Sequence, residues 1–187
     1  MSVQDLNTWN LFLSGDKTAF EYLLAKNYRH LIHYGTKFTA DKELVKDTIQ
    51  ELFINLWDKR ANLSNNVNPQ AYLTASMRRA LYRKIQSFNR RENYSDMQNC
   101  PGYFDIELSI EEKLIEQEYG QMISHTIAQN LAVLPARQKE VVYLKYFSQF
   151  NRDGISEIMG ISNQTVSNLL QMALRNLRGR ISKDMLV

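Results

Sequence analysis

The stretch GISEIMGISNQTVSNLLQMALRNLR, residues 154–178, carries the local signals of two helices joined by a tight turn. Ile158, Ile161, Val166, Leu169, Leu170 and Leu177 recur at helical spacing. Gly160 stands where a helix C-terminus needs positive φ, and Ser162 is placed to cap the helix that follows. This is a helix-turn-helix pattern, and its second helix is the one such units lay in a DNA major groove. Asn163, Gln164, Thr165, Ser167 and Asn168 fill the first two turns of that helix, with Gln171 and Arg175 beyond them. Asn and Gln side chains pair with adenine edges, and Ser or Thr reach bases or phosphates. Yet from Ile155 to Leu174 there is no Lys or Arg, and the only charge is Glu157. Phosphate contacts supply most of the affinity for DNA, so a helix this poor in cations can select a sequence but needs adhesion from elsewhere. A solvated helical hairpin fits the same pattern without any DNA.

Upstream, Pro135 starts a helix whose Val141, Val142, Leu144 and Tyr146 are expected to form a core with the hairpin. Ser109 and Glu112 make a capping box at the head of a further helix bearing Ile110, Leu114, Ile123, Ile127 and Leu131. Between Phe88 and Glu107 the helical period fails and Asn, Asp, Ser, Pro and Gly gather, as in a linker or extended connector. The N-terminal part reads as a second helical unit. A short helix near Leu6 to Leu13 comes first. Asp16 caps a helix to about Phe38, with Phe20, Leu23, Leu24, Leu31 and Tyr34 as its buried stripe; Asp41 caps one running to Trp57; and Asn68-Pro69 starts one that ends near Ser87. The expected fold is all-α: residues 1–88 as a helical bundle, 89–108 as a linker, and 109–187 as a domain built on the helix-turn-helix. With 187 residues, three Pro and seven Gly, the chain has the length and composition for two small helical cores.

The net charge of +3 says little, but its distribution says more. No acidic residue lies between Asp58 and Glu92, a window that holds Lys59, Arg60, Arg78, Arg79, Arg83, Lys84, Arg90 and Arg91. On the helix after Pro69, Arg78, Arg79, Arg83 and Lys84 make a cationic side, and Tyr72 and Tyr82 lie on the same helix. Interleaved cations and rings suit single-stranded DNA, because rings stack on unpaired bases while cations follow the backbone. A solvated basic helix is the plainer alternative. In DTIQELF, residues 47–53, the polar Asp47, Gln50 and Glu51 share one face and suit either a basic partner helix or solvent.

No catalytic constellation, metal-ligand spacing or phosphate-cradling glycine loop is found, so no enzyme activity and no cofactor are expected. His30 and His33 read as a surface pair. The single cysteine, Cys100, cannot form an internal disulfide, and no apolar run free of charge reaches membrane-spanning length. A cytoplasmic protein without membrane insertion is expected.

Taken in order, DTIQELFINLW, NPQAYLTASMRRAL, LPARQKEVVYLKYF and the helix-turn-helix resemble the small two-domain sigma factors of bacterial RNA polymerase, the extracytoplasmic-function type. The resemblance covers about residues 8–88 and 110–180. It implies a transcription initiation factor that directs core polymerase to promoters, helps melt the -10 element and reads the -35 element. Asp47, Gln50 and Glu51 match positions that dock on the β′ clamp helices. Asn65, Asn66 and Asn68 fall in the family's specificity loop, where a base flipped from the -10 element is captured. Tyr72, Arg78, Arg79, Arg83 and Lys84 would hold the opened strand. The C-terminal domain would meet the β flap and the -35 duplex, and an anti-sigma factor is a further family expectation. The chain departs from the family where members often carry Lys or Arg, at Ser167, Leu169, Met172 and Leu174. It also has Gly154 in place of a usual Glu and Arg79 in place of a common Asn. A stand-alone helix-turn-helix regulator and a sigma-like adaptor without promoter binding are the competing readings.

Overall fold

The computed structural model describes residues 3–90, 104–106 and 129–184, and every regular element within them is helical. The N-terminal unit has α1 (Val3–Leu13), α2 (Lys17–Gly35), α3 (Lys42–Asp58), a 3-10 turn at Arg60–Asn62, and α4 (Pro69–Arg90). The C-terminal unit has α5 (Ala136–Val142), a π-type turn at Tyr143–Phe147, α6 (Arg152–Met159) and α7 (Asn163–Asp184). The capping box at Ser109 and Glu112, the helix it heads as far as residue 128, and Cys100 lie outside the described residues.

Short polar side chains fix where the helices begin. Asp16 accepts from the amide of Ala19 at 3.0 Å, and Asp41 accepts from both Glu43 and Leu44 at 3.0 Å. Asn68 accepts from Ala71 at 3.2 Å, Asn151 from Gly154 at 2.9 Å and Ser162 from Thr165 at 3.1 Å. Each such cap satisfies an amide the helix cannot, and is worth about 1 kcal/mol. Gly160 ends α6 in the left-handed region at φ 64°, which lets Ile161 donate back to the carbonyl of Ser156 at 3.2 Å and turns the chain into α7.

Packing follows the apolar stripes. Phe12, Leu23, Leu31, Val45, Ile49, Phe53, Leu73, Met77 and Leu81 are buried where α1 to α4 meet. Gly35 is one reason these helices come so close, since a methyl there would lie 2.6 Å from Val45 Cγ1 and 2.9 Å from Met77 Cε. In the C-terminal unit Val141, Val142, Leu144, Ile155, Ile158, Val166 and Ala173 are buried. Helix α6 then lies along α4, which is the most extensive helix–helix contact among the described residues.

Four expectations need correction. Helix α4 continues to Arg90, past Ser87. Tyr146 is 54% exposed, not core: the wider π-type turn puts it out of phase with Val142, four residues earlier. Leu24 is 36% exposed at the edge of a surface groove, because the buried face of α2 is narrower than the run of apolar residues suggests. The connector is fastened at residues 104–106. Phe104 and Ile106 are buried, and the Asp105 amide donates to the Lys37 carbonyl at 2.8 Å.

A Gly160→Ala variant must hold a Cβ in left-handed backbone, at a cost of about 1–2 kcal/mol. Its melting temperature is expected to drop by a few degrees in a calorimetric scan, while Gly179→Ala, in mid-helix with open space around the added carbon, is expected not to lower it.

Candidate nucleic-acid and polymerase interfaces

On α7 the polar residues form a connected, solvent-facing strip. Asn163 Nδ2 donates to Asp153 Oδ1 at 2.7 Å, and Gln164 Nε2 donates to Asn168 Oδ1 at 3.0 Å. Ser167 Oγ donates to the Asn163 carbonyl at 3.1 Å, and the hydroxyls of Ser162 and Thr165 are 2.8 Å apart. Asn163, Gln164, Asn168, Gln171 and Arg175 are exposed, whereas Thr165 and Ser167 are half-buried. Amides tied at one end in this way are pre-oriented and keep their remaining polar atoms outward. Met172 and Leu174 are also exposed on this helix.

On α4 the four cations have different fates. Arg83 and Arg79 are exposed, and Arg79 Nη2 donates to Ser76 Oγ at 3.0 Å. Lys84 is paired with Glu51 of α3 at 2.8 Å. Arg78 is drawn inward, its side chain 14% exposed, with its guanidinium over the Tyr82 ring at 4.6 Å. Its Nε and Nη2 donate to the two carboxylate oxygens of Glu140 on α5 at 2.7 and 3.1 Å. Burial opposes that charge, but the hydrogen bond and the charge of Glu140 outweigh it and raise the Arg78 pKa above its ordinary value. The Tyr34 hydroxyl donates to Glu140 Oε1 at 2.7 Å, and burial, followed by the neighbouring carboxylate, holds the phenol pKa well above its usual value. Glu140 therefore has no solvent exposure and three protein hydrogen bonds.

The Asn-rich loop before α4 is held from the other side. Trp9 Nε1 donates to the Ser64 carbonyl at 2.9 Å, and the Trp9 ring meets Tyr72 at 5.7 Å. Asn65 and Asn66 are exposed, Asn68 is half-buried as the cap of α4, and Tyr72 is half-buried against Trp9. On the far face, Asp47, Gln50 and Glu51 are exposed along α3. Gln50 borders a groove of about 530 Å³ between α2 and α3, whose apolar walls include Leu24, Tyr28, Phe53 and Ile54. Sequence reading missed this groove, Trp9 and Glu140. The exposed apolar residues of the groove were a usable signal, but Glu140 was not, since it lies 62 residues from Arg78 and 106 from Tyr34.

The histidines need a correction as well. His30 is not half of a surface pair: its Nε2 is 3.2 Å from Thr74 Oγ1 and its ring meets Phe150 edge-on at 5.8 Å. Burial, and then the charge of His33, lower its pKa to about 4.

Two family models match in the order of these units: Sigma-70 region 2 over residues 23–92, and Sigma-70, region 4 over residues 125–177. Both belong to the sigma-70 initiation factors, a non-enzymatic class of transcription factor. The ECF RNA polymerase sigma factor SigL of Mycobacterium tuberculosis is 24% identical over 149 residues, covering 79% of this chain and 80% of the relative. Bacteriocin UviA of Clostridium perfringens is 24% identical over 180 residues, covering 90% and 94%. Among solved structures, CnrH in complex with the cytosolic domain of CnrY superposes with a TM-score of 0.64 at 17% identity, covering 96% of this chain and 98% of that one. The sigma factor RpoE of Bartonella quintana, in complex with the anti-sigma factor NepR, gives 0.61 at 19%, covering 87% and 96%.

The chain belongs to the extracytoplasmic-function type of the sigma-70 family and is a promoter-specific transcription initiation factor. Its two regions imply RNA polymerase and promoter DNA as partners. Among the described residues no helix is long and apolar enough to cross a membrane.

The lowered His30 pKa fixes the sign of one pH effect. The native state keeps the ring neutral while an unfolded chain protonates it near 6.5. Stability is complete above about 6.5 and is lost as pH falls toward about 4. Melting temperature is expected to decline between pH 7 and 5 in the native chain and to decline less in His30→Gln.

Proposed function

We propose that this sigma factor reads promoter DNA at two separate surfaces, each too weak to act alone. The strip of Asn163, Gln164, Thr165, Ser167, Asn168, Gln171 and Arg175 on α7 reads the -35 duplex from the major groove. The loop residues Asn65, Asn66 and Asn68, with Tyr72 and the cations Arg78, Arg79, Arg83 and Lys84, select and hold the melted -10 strand. The supporting observation is the division of chemistry between the two helices. The α7 strip offers amides and hydroxyls but few charges, whereas α4 carries cations beside a loop of exposed asparagines. Base-edge reading needs the first set, and backbone tracking of an unpaired strand needs the second.

Polymerase makes this division workable. Asp47, Gln50 and Glu51 dock on the β′ clamp helices, and the C-terminal unit meets the β flap. Once either contact is made, the other surfaces act at high effective concentration, so a cation-poor reading helix suffices. Capture of a flipped base costs a few kcal/mol and is cheapest on a strand already separating. An anti-sigma factor is a proposed regulator, by likeness to the complexes named above, and a cytoplasmic location follows from work on core polymerase.

Run-off transcription with purified core polymerase on genomic DNA tests this directly: the full chain is expected to start transcripts at discrete native sites. In Arg79→Glu/Arg83→Glu, promoter opening in permanganate footprints is expected to fall at least ten-fold, with capture of core polymerase in pull-downs nearly unchanged. Equal loss in both assays would contradict the assignment of α4 to the DNA strand.

A further inference from the structure

Two acidic side chains of the C-terminal unit lie against cations of α4. Glu140 engages Arg78 through both carboxylate oxygens, with no solvent reaching it. Burial raises the pKa of Glu157 on α6, the only charge between Ile155 and Leu174, and the charge of the nearby Arg79 partly opposes that rise. A second tie runs through the connector, where Lys139 Nζ is 2.7 Å from Asp105 Oδ1 and the Asp105 amide is bonded to the Lys37 carbonyl of the N-terminal unit. Rings complete the seam. Tyr34 and Phe38 of the first unit, Phe104 of the connector and Tyr143 of the second meet with centroids 5.0 to 6.2 Å apart.

We infer that Glu140 is an internal competitor for promoter DNA: its carboxylate occupies Arg78 where a strand phosphate would, and so holds the free chain closed with α6 covering a flank of α4. The inference rests on the reading of α4 as the strand-binding helix. With Nε and Nη2 both committed to Glu140, that bidentate edge of Arg78 is closed to a phosphate. A buried ion pair suits a latch better than a permanent joint. Compared with an apolar contact it adds little net adhesion, but breaking one partner alone is costly, so closure is specific. On opening, both charges regain water, and Arg78 gains the strand. Docking of the two units on separate polymerase surfaces supplies the force that parts them.

The test uses the full chain with Cys100→Ser, spin labels at Glu21→Cys on α2 and Leu174→Cys on α7, and pulsed dipolar spectroscopy. The expected result is one narrow distance distribution for the otherwise native chain and a broad, longer one for Glu140→Gln and for Arg78→Glu. The double swap Arg78→Glu/Glu140→Arg restores the narrow distribution. This last result separates a latch from simple misfolding of the single variants. In parallel, affinity for fluorescein-labelled oligo(dT) of 20 nucleotides, read by anisotropy, is expected to rise about five-fold or more in Glu140→Gln. A broad distribution in the native chain, or an unchanged narrow one in Glu140→Gln, overturns the latch even where transcription proceeds normally. Opening without any gain in oligo(dT) affinity overturns the competition and faults the reading of α4 instead.

Discussion

A carboxylate with no access to water must be matched by donors fixed in place, and Glu140 is matched by three, from Tyr34 on α2 and Arg78 on α4. Desolvating one unpaired ion costs several kcal/mol, so Glu140 tolerates burial only while both helices of the other unit stay beside it. That requirement gives the seam its geometry. It fixes α5 against α2 and α4, which brings α6 down along α4 and leaves α7 with its polar strip facing outward. Removal of either partner, Tyr34 or Arg78, would leave the buried carboxylate short of its match.

Around this polar centre the seam is aromatic. Tyr34 stands at once in the ring cluster and in the ion-pair network, with its ring against Phe38 and Tyr143 and its hydroxyl on Glu140. Rings give adhesion over a broad contact, and the ion pair decides which faces meet. The chain thus combines two modest helical cores with a junction that is specific and, because it is partly charged, separable. On the proposed reading, a promoter-specific factor that presents separate surfaces to the two promoter elements needs both properties.

The helices and their caps were legible in the sequence because those signals are local. Asp16, Asp41, Asn68, Gly160 and Ser162 each act within a few residues of themselves, and each does in the structure what its spacing predicts. The exposure of Asp47, Gln50 and Glu51 was legible for the same reason, since apolar phase fixes the opposite face. Tyr146 was misread because a π-type turn shifts phase without a sequence marker. His30 was read as a surface group and Arg78 as a solvent-facing cation, and the partners that draw them in, Phe150 and Glu140, belong to a unit that begins far along the chain. The missing acids between Asp58 and Glu92 marked a cationic window correctly, but composition could not reveal that Glu51 and Glu140 neutralise two of its members from outside.

The cation-poor helix that opens the sequence problem has a consistent place in this scheme. On the proposed reading its unit is delivered to DNA by polymerase rather than by its own charge, and in the free chain Glu157 of α6 lies near Arg79 of α4. The central claim is that this seam is closed in solution and parted in the working complex. Hydroxyl-radical footprinting of Tyr34, which has no solvent exposure in the closed form, measures that state without labels. The account predicts that Tyr34 is protected in the free protein and becomes oxidised when core polymerase and promoter are bound; a Tyr34 that stays protected in complexes that are actively initiating would contradict it.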